Sequence, residues 1–279
     1  MTDDPWKHVN GILARSGTSF LWSMKVIAPE RRRAMYAIYA FCREVDDIAD
    51  TPGDVASRRA ALNAWREEIG RLYGGSPTMP TARALDPAVR RFELPREEFL
   101  AIIDGMETDV APGVEMAATD DLFAYCRRVA GAVGMLIIHV FGIAGHPGPV
   151  MAQTMGNAFQ ITNILRDLED DAKEGRLYVP RDILAKHGIR AASPGDVLKH
   201  PAFAGVCAEL ASMARRHYAE ADRLLGEIGR RRIRPIVAMM KVYSEILDLL
   251  EQRGWNRLDV PVKPPKVRLV WLALRYGLL

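Results

Sequence analysis

The chain has 279 residues, of which 49% are hydrophobic and 26% are charged. These proportions suit a folded protein with a sizeable core and argue against a disordered chain. A net charge of +3 is too small to indicate a nucleic-acid-binding protein, and no aromatic-basic module or zinc-finger spacing accompanies it.

The predicted elements are helices along nearly the whole chain. Pro29 suits the start of the first one, and a single helical stripe follows it, formed by Ala34, Ile38, Phe41, Val45 and Ile48. Asp54 can cap the next helix, which is expected to run to Tyr73. Further helices are predicted over residues 82–91, 96–108, 120–144, 150–171, 202–229, 235–253 and 267–276.

The sequence contains no alternating strand pattern of useful length, no internal repeat and no low-complexity linker. It therefore predicts an all-α fold, with residues 1–279 forming a single domain. The most apolar stretch, 129–144, is shorter than a membrane-spanning helix and contains Gly131 and Gly134, which favours a buried core helix.

An acidic motif lies on the first predicted helix, at CREVDDIAD from Cys42 to Asp50. Asp46 and Asp50 are four residues apart, so they share one helix face with Arg43. Asp47 is turned away from that face and can pair with Arg43 one turn earlier. Two neighbouring carboxylates repel each other, and a divalent cation removes the repulsion. Considered alone, the motif is equally typical of a solvated acidic face.

A second acidic motif, QITNILRDLEDD, begins at Gln160. Asn163, Asp167 and Asp171 are spaced i, i+4 and i+8, so their oxygens line one face, whereas Asp170 is out of phase. Oxygen ligands suit Mg²⁺, which often bridges carboxylates to substrate phosphates. Two such helices, facing each other in a bundle, predict a magnesium-dependent diphosphate site, with Mn²⁺ as an alternative metal.

Several segments resemble the squalene/phytoene synthase family. They are SGTSF from residue 16, MYAIYAFCREVDDIAD from residue 35, YCRRVAGAVG from residue 125, FQITNILRDLEDDAKEGRLYVP from residue 159, and Tyr243 followed by a basic tail. The resemblance covers essentially the whole chain. It implies a helical bundle of the isoprenoid synthase type around a central cavity, in which two allylic diphosphates are joined head to head through a cyclopropyl diphosphate.

The resemblance also implies roles for individual residues. Metal binding is expected for Asp46, Asp50, Asn163, Asp167 and Asp171. Substrate binding is expected for Ser19, Phe20, Arg43, Gln160, Asn163, Arg166, Arg176, Lys263 and Lys266. A catalytic role at or beside the reaction centre is expected for Arg43, Tyr125, Gln160 and Tyr243.

Three segments, AIYAFCREVDDIAD, IDGMETD and FQITNILRDLEDDA, are most similar to the bacterial branch that serves hopanoid synthesis. That resemblance implies two molecules of farnesyl diphosphate as substrates and presqualene diphosphate as the product, without NADPH. Downstream enzymes of the squalene pathway are then expected partners. The alternatives are a phytoene synthase using geranylgeranyl diphosphate, a squalene synthase that completes the NADPH-dependent reduction, and a catalytically inactive assembly factor.

The three cysteines, Cys42, Cys126 and Cys207, have neither disulfide nor metal-ligand spacing, and the N-terminus is polar. Both features favour a cytoplasmic location. The tail from Lys263 mixes basic residues with Trp271 and several leucines, which is typical of peripheral contact with an anionic membrane and also of a last amphipathic helix packed on the core.

Overall fold

The computed structural model describes residues 4–16, 24, 27–51, 53–111, 113–190, 193–265, 267–268, 271 and 275–276. Twelve α-helices are described: α1 Pro5–Ser16, α2 Pro29–Asp50, α3 Val55–Tyr73, α4 Pro80–Phe92, α5 Arg96–Val110, α6 Thr119–Cys126, α7 Ala132–Phe141, α8 Gly148–Lys173, α9 Arg181–Lys186, α10 Pro194–Lys199, α11 Phe203–Ile228 and α12 Arg234–Arg253. A π-helical turn, Arg127–Gly131, joins α6 to α7, and a 3₁₀ turn, Arg230–Ile233, precedes α12.

Local sequence explains where several helices begin. Pro29 occupies the first turn of α2, where its missing N–H is not needed. The Asp54 carboxylate caps α3 by accepting a hydrogen bond of 2.8 Å from the Ser57 N–H. Ahead of α4, the buried Glu68 carboxylate accepts the N–H groups of Thr78 and Met79 at 2.5 and 2.7 Å. Glu68 thus fixes the entry to α4 from a neighbouring helix.

Helix α8 is the centre of the bundle. It packs against α6, α7, α10, α11 and α12, and the buried apolar side chains form one continuous cluster. Helix α7 packs against both α2 and α8, so it stands between the two helices that carry the acidic motifs. The cavity described below lies beside α7 and α8, with Tyr39 of α2 in its wall. The extent of the domain, residues 1–279, stays a prediction.

Glycines allow the π-helical turn and α7 to approach α8 closely. A Cβ added to Gly156 would lie 2.6 Å from the Gly131 nitrogen, and one added to Gly134 would lie 3.0 Å from the Ala152 carbonyl oxygen. The crossing at Gly156 therefore requires glycine, and a side chain at Gly134 would force the neighbouring backbone to shift by a few tenths of an ångström. Gly134 also lines the cavity, so its small size serves helix packing and leaves space there.

The structure differs from the predicted elements in a few places. Helices α1, α9 and α10 were not predicted. Helices α9 and α10 have only six residues each, which is too short to show a periodic pattern. The helix expected over 120–144 contains the π-helical turn and ends at Phe141, where Gly142 takes a left-handed φ of 67°. Half of the residues in the helix predicted over 267–276 lie outside the described residues.

One run within the described part of the chain, Thr119–Phe141, is long and apolar enough to cross a membrane by length and composition alone. No such run was expected from the sequence. Val133, Ile137 and Ile138 in this run line the cavity, and the run packs on α8. Its apolar composition therefore has an explanation within the bundle.

Candidate active site

A cavity of about 410 Å³ lies between α7, α8 and α12. Its wall is mostly apolar and includes Val129, Val133, Ile137, Ile138, Met151, Ala152, Met155, Phe159, Ile236, Met239, Val242 and Ile246. Polar side chains also contribute to the lining, namely Tyr39, Gln160, Asn163, Arg166 and Tyr243. The cavity can therefore shelter a long apolar chain and bind a polar group with that polar part of its wall.

The first acidic motif lies on α2, as predicted. Arg43 contacts Asp46 at 3.3 Å and Asp47 at 2.5 Å, which is the pairing expected from helical spacing. Burial, with repulsion from Asp50, raises the pKa of Asp46 to about 6. The motif therefore holds more negative charge than its own arginine neutralises.

The second acidic motif lies along α8. Arg166 forms a bidentate pair with Asp167, with distances of 2.8 and 2.6 Å. Burial, with repulsion from Asp167, raises the pKa of Asp171 to about 7. Asp170, which shares the motif but not its face, is exposed and pairs with Lys173 at 2.8 Å. The geometry thus separates Asp170 from the row formed by Asn163, Asp167 and Asp171.

Arg176, three residues beyond α8, connects the two motifs. Its guanidinium lies 3.3 Å from the Asp50 carboxylate on α2 and also pairs with Glu174. Its positive charge offsets part of the rise in the pKa values of both Asp46 and Asp171. The two acidic motifs therefore face a shared region, which one arginine spans.

Aromatic rings stand where the charged region meets the cavity. Tyr243 stacks on Phe159 with ring centroids 4.3 Å apart, and both line the cavity. Burial raises the pKa of Tyr243, although Arg166 and a hydrogen bond with Asn163 act against that shift. Gln160 also lines the cavity. Tyr243 and Gln160 thus lie together with the second motif.

Tyr125 belongs to a different cluster. Its hydroxyl donates to the Asp109 carboxylate at 3.1 Å, and the Tyr178 hydroxyl donates to the other oxygen at 2.8 Å. The two rings stack with centroids 5.0 Å apart. Sequence reasoning did not identify Asp109 or Tyr178 as site residues, although IDGMETD and GRLYVP were both recognised as family segments. Only the fold places those two segments beside Tyr125.

The acidic motifs fit a magnesium ion on three grounds. They offer only oxygen donors, Asp46 and Asp171 have raised pKa values, and the buried Oδ1 of Asn163 has no hydrogen-bond partner. Across the described residues, no three His, Cys, Asp or Glu side chains could hold an ion unaided. Mg²⁺ commonly takes one or two carboxylates together with substrate phosphates and waters. The donor set therefore suits an ion shared with a diphosphate.

The remaining predicted residues are less informative. Lys263 has an exposed side chain. Ser19, Phe20 and Lys266 lie outside the described residues.

Comparison with known proteins adds to this geometry. The squalene/phytoene synthase family matches residues 13–272. A presqualene diphosphate synthase from Sinorhizobium fredii is 40% identical over 272 residues, which cover 98% of this chain and 97% of the relative. A chloroplastic phytoene synthase from Narcissus pseudonarcissus is 31% identical over 284 residues, which cover 98% of this chain and 66% of the relative.

Among solved structures, squalene synthase HpnC from Alicyclobacillus acidocaldarius matches with a TM-score of 0.81 and 28% identity. The match covers 92% of this chain and 95% of that structure. The predicted all-α bundle of the isoprenoid synthase type is confirmed by this likeness.

Proposed function

The chain belongs to the squalene/phytoene synthase family, and we propose that it is a prenyltransferase that joins two farnesyl diphosphates head to head into presqualene diphosphate, with release of one diphosphate. The observation that carries the proposal is the 40% identity to a presqualene diphosphate synthase across nearly the whole of both chains. Both acidic motifs and the apolar cavity beside them support it.

The two acidic motifs would bind the metal. Asp46 and Asp50 would do so from α2, and Asn163, Asp167 and Asp171 from α8. With Mg²⁺ or Mn²⁺ bound, these residues would hold positive charge against the diphosphate, which would assist departure of the leaving group.

Arginines would bind the diphosphate oxygens. Arg43, Arg166 and Arg176 each pair with a carboxylate of an acidic motif, which supports a role for them beside the proposed metal site. An arginine fork matches phosphate geometry and stabilises the charge that develops on the leaving group. Ser19, Phe20, Lys263 and Lys266 complete the proposed substrate-binding set.

The apolar cavity would hold the prenyl chain and exclude water. Loss of diphosphate leaves an allylic cation, which water would trap, so a dry wall protects the carbon–carbon bond-forming step. Tyr243 lines the cavity, so its ring face would stabilise that cation. Tyr125, in the cluster with Asp109 and Tyr178, is proposed to act in the same way. Gln160 lies between the apolar wall and the acidic motif on α8 and would orient the reacting end of the substrate.

The reaction is proposed to stop at presqualene diphosphate, without NADPH, so that downstream enzymes of the squalene pathway consume the product. A cytoplasmic location is proposed with it. Peripheral contact between the basic tail and an anionic membrane would ease transfer of a product this apolar.

A competition assay tests the substrate. The protein, incubated with Mg²⁺ and equal amounts of farnesyl and geranylgeranyl diphosphate, should consume the C15 substrate and release inorganic diphosphate. Turnover of the C20 substrate alone would identify a phytoene synthase and contradict the proposal.

A further inference from the structure

Asp109 occupies an unusual position for a carboxylate. It lies near the end of α5 with only 8% of its surface exposed. Each of its oxygens accepts one hydroxyl, from Tyr125 on α6 and from Tyr178 in the segment after α8. Burying a charge is costly unless hydrogen bonds compensate. The fold maintains this arrangement although an apolar residue would avoid the cost.

Another buried carboxylate, Glu68, shows what a purely structural role involves. Glu68 is fully buried and accepts two backbone N–H groups, the Thr78 hydroxyl and the Arg71 guanidinium. Those bonds fix the start of α4. Asp109, in contrast, orders two side chains whose rings stack on each other. Its hydrogen bonds therefore set the orientation of aromatic rings.

The backbone around Tyr178 is also held in place. The Leu177 N–H donates to the Val114 carbonyl at 3.3 Å, and the Arg181 N–H donates to the Met116 carbonyl at 2.9 Å. These bonds attach the segment after α8 to the segment after α5. Two backbone hydrogen bonds thus hold the segment that places Tyr178 beside Asp109.

The tyrosine pair lies next to the charged part of the site. Arg176, which contacts Asp50, also interacts with the Tyr178 hydroxyl. The negative charge of Asp109 contributes to the raised pKa of Asp171, and the charge of Asp46 contributes to the raised pKa of Asp109. A chain of contacts therefore leads from the first acidic motif through Arg176 and Tyr178 to Asp109.

We propose that Asp109 is a positioning residue, which holds Tyr125 and Tyr178 as a stacked pair and directs both hydroxyl protons to its carboxylate; the inference rests on the proposed function. A phenol that donates to an anionic acceptor becomes more electron-rich, and an electron-rich ring stabilises a nearby cation better. Asp109 would in this way favour the cationic stage of the reaction without touching the substrate.

The test is Asp109→Asn, which keeps the shape of the side chain but replaces one acceptor with an N–H donor. We expect kcat to fall roughly ten- to hundredfold, the size of losing a hydrogen bond to a charged group. The KM for farnesyl diphosphate should stay within about twofold, because diphosphate binding is unchanged. A wild-type kcat in this variant would overturn the inference.

A double-mutant comparison separates positioning from a direct effect. In a Tyr125→Phe/Tyr178→Phe background, adding Asp109→Asn should lower kcat by no more than about twofold further, since its partners are already absent. A full additional loss would mean that Asp109 acts by another route. Should Asp109→Asn fail to fold, Tyr178→Phe alone carries the test, and an unchanged kcat there would overturn the inference.

Glu68→Gln is the matched control. It alters another buried carboxylate, so we expect a lower Tm and an unchanged kcat; an equal loss of kcat would refute a specific role for Asp109. Near-UV circular dichroism follows the tyrosine pair without substrate, and its tyrosine signal should weaken in Asp109→Asn but not in Glu68→Gln. If this signal weakens in Asp109→Asn but the wild-type protein shows no turnover, the proposed function is refuted, whereas the role of Asp109 in positioning the tyrosines is supported.

Discussion

Helices α2 and α8 both carry an acidic motif, yet they relate to the cavity differently. On α8, Asn163 and Arg166 belong to the motif and to the cavity wall at once. On α2, Tyr39 lines the cavity two turns before Asp46, and the motif itself lies beyond the cavity lining. The difference indicates that α8 contributes both to the acidic site and to the wall of the cavity, whereas α2 contributes mainly charged groups.

Removing one carboxylate from either motif should have the largest effect. We expect Asp46→Ala and Asp167→Ala each to lower turnover by roughly a thousandfold or more, because the diphosphate charge would no longer be neutralised. Far-UV circular dichroism should still show the helical fold. Asp170→Ala is the matched control on α8, since Asp170 faces Lys173 and solvent, and it should keep near-normal activity. Full activity in either motif variant would refute the metal site.

Arg176→Gln tests whether the two motifs act together. Arg176 spans them, so its loss should lower kcat/KM about a hundredfold, less than the loss of a metal ligand. Steady-state kinetics with farnesyl diphosphate provide the measurement. Arg181→Gln is the control, because Arg181 pairs with Glu115 on the surface and should have little effect. Equal activities in the two variants would contradict a bridging role.

Met155→Trp tests the role of α8 in shaping the cavity. Met155 lines the cavity two turns before Asn163, so a larger ring there should raise the KM for farnesyl diphosphate about tenfold by occupying space for the prenyl chain. Met155→Leu keeps the volume and should behave as the wild type. An unchanged KM in Met155→Trp would mean that the substrate chain lies elsewhere.

The smallest expected effect is on the pH dependence of the protein's stability. The pKa of Asp171 is raised from 3.8 to about 7, so between those values the folded protein holds more protons than the unfolded chain. The contribution of Asp171 to stability is therefore greatest at low pH and is lost as the pH rises through about 7.

Asp171→Asn removes this dependence. Without Mg²⁺, the Tm of the variant relative to the wild type should rise by a few degrees between about pH 5 and pH 8. Mg²⁺ with inorganic diphosphate should reduce that difference, since both bind the wild-type site more tightly. A Tm difference that falls with rising pH would contradict the raised pKa.

The sequence predicted the long helices and the two acidic rows well, because both depend on local periodicity. Asp46 and Asp50 share a face by spacing alone, and so do Asn163, Asp167 and Asp171. Short helices such as α9 and α10 were missed, since six residues hold too few apolar positions to show a period.

Contacts between distant segments could not be read from the sequence. Asp109 and Tyr178 are far apart in the chain, and only the backbone bonds after α5 and α8 bring them together. The same holds for the contact between Arg176 and Asp50. Tyr125 was expected at the reaction centre, but its place beside these two residues depends on tertiary packing. The expected roles of the individual site residues stay predictions.

The most direct test of the proposed function is mass spectrometry of the products formed from farnesyl diphosphate and Mg²⁺, with and without NADPH. We expect a C30 product that retains one diphosphate in both reactions, together with released inorganic diphosphate. Squalene formed only with NADPH, or no C30 product in either reaction, would contradict the proposal that this chain makes presqualene diphosphate and stops there.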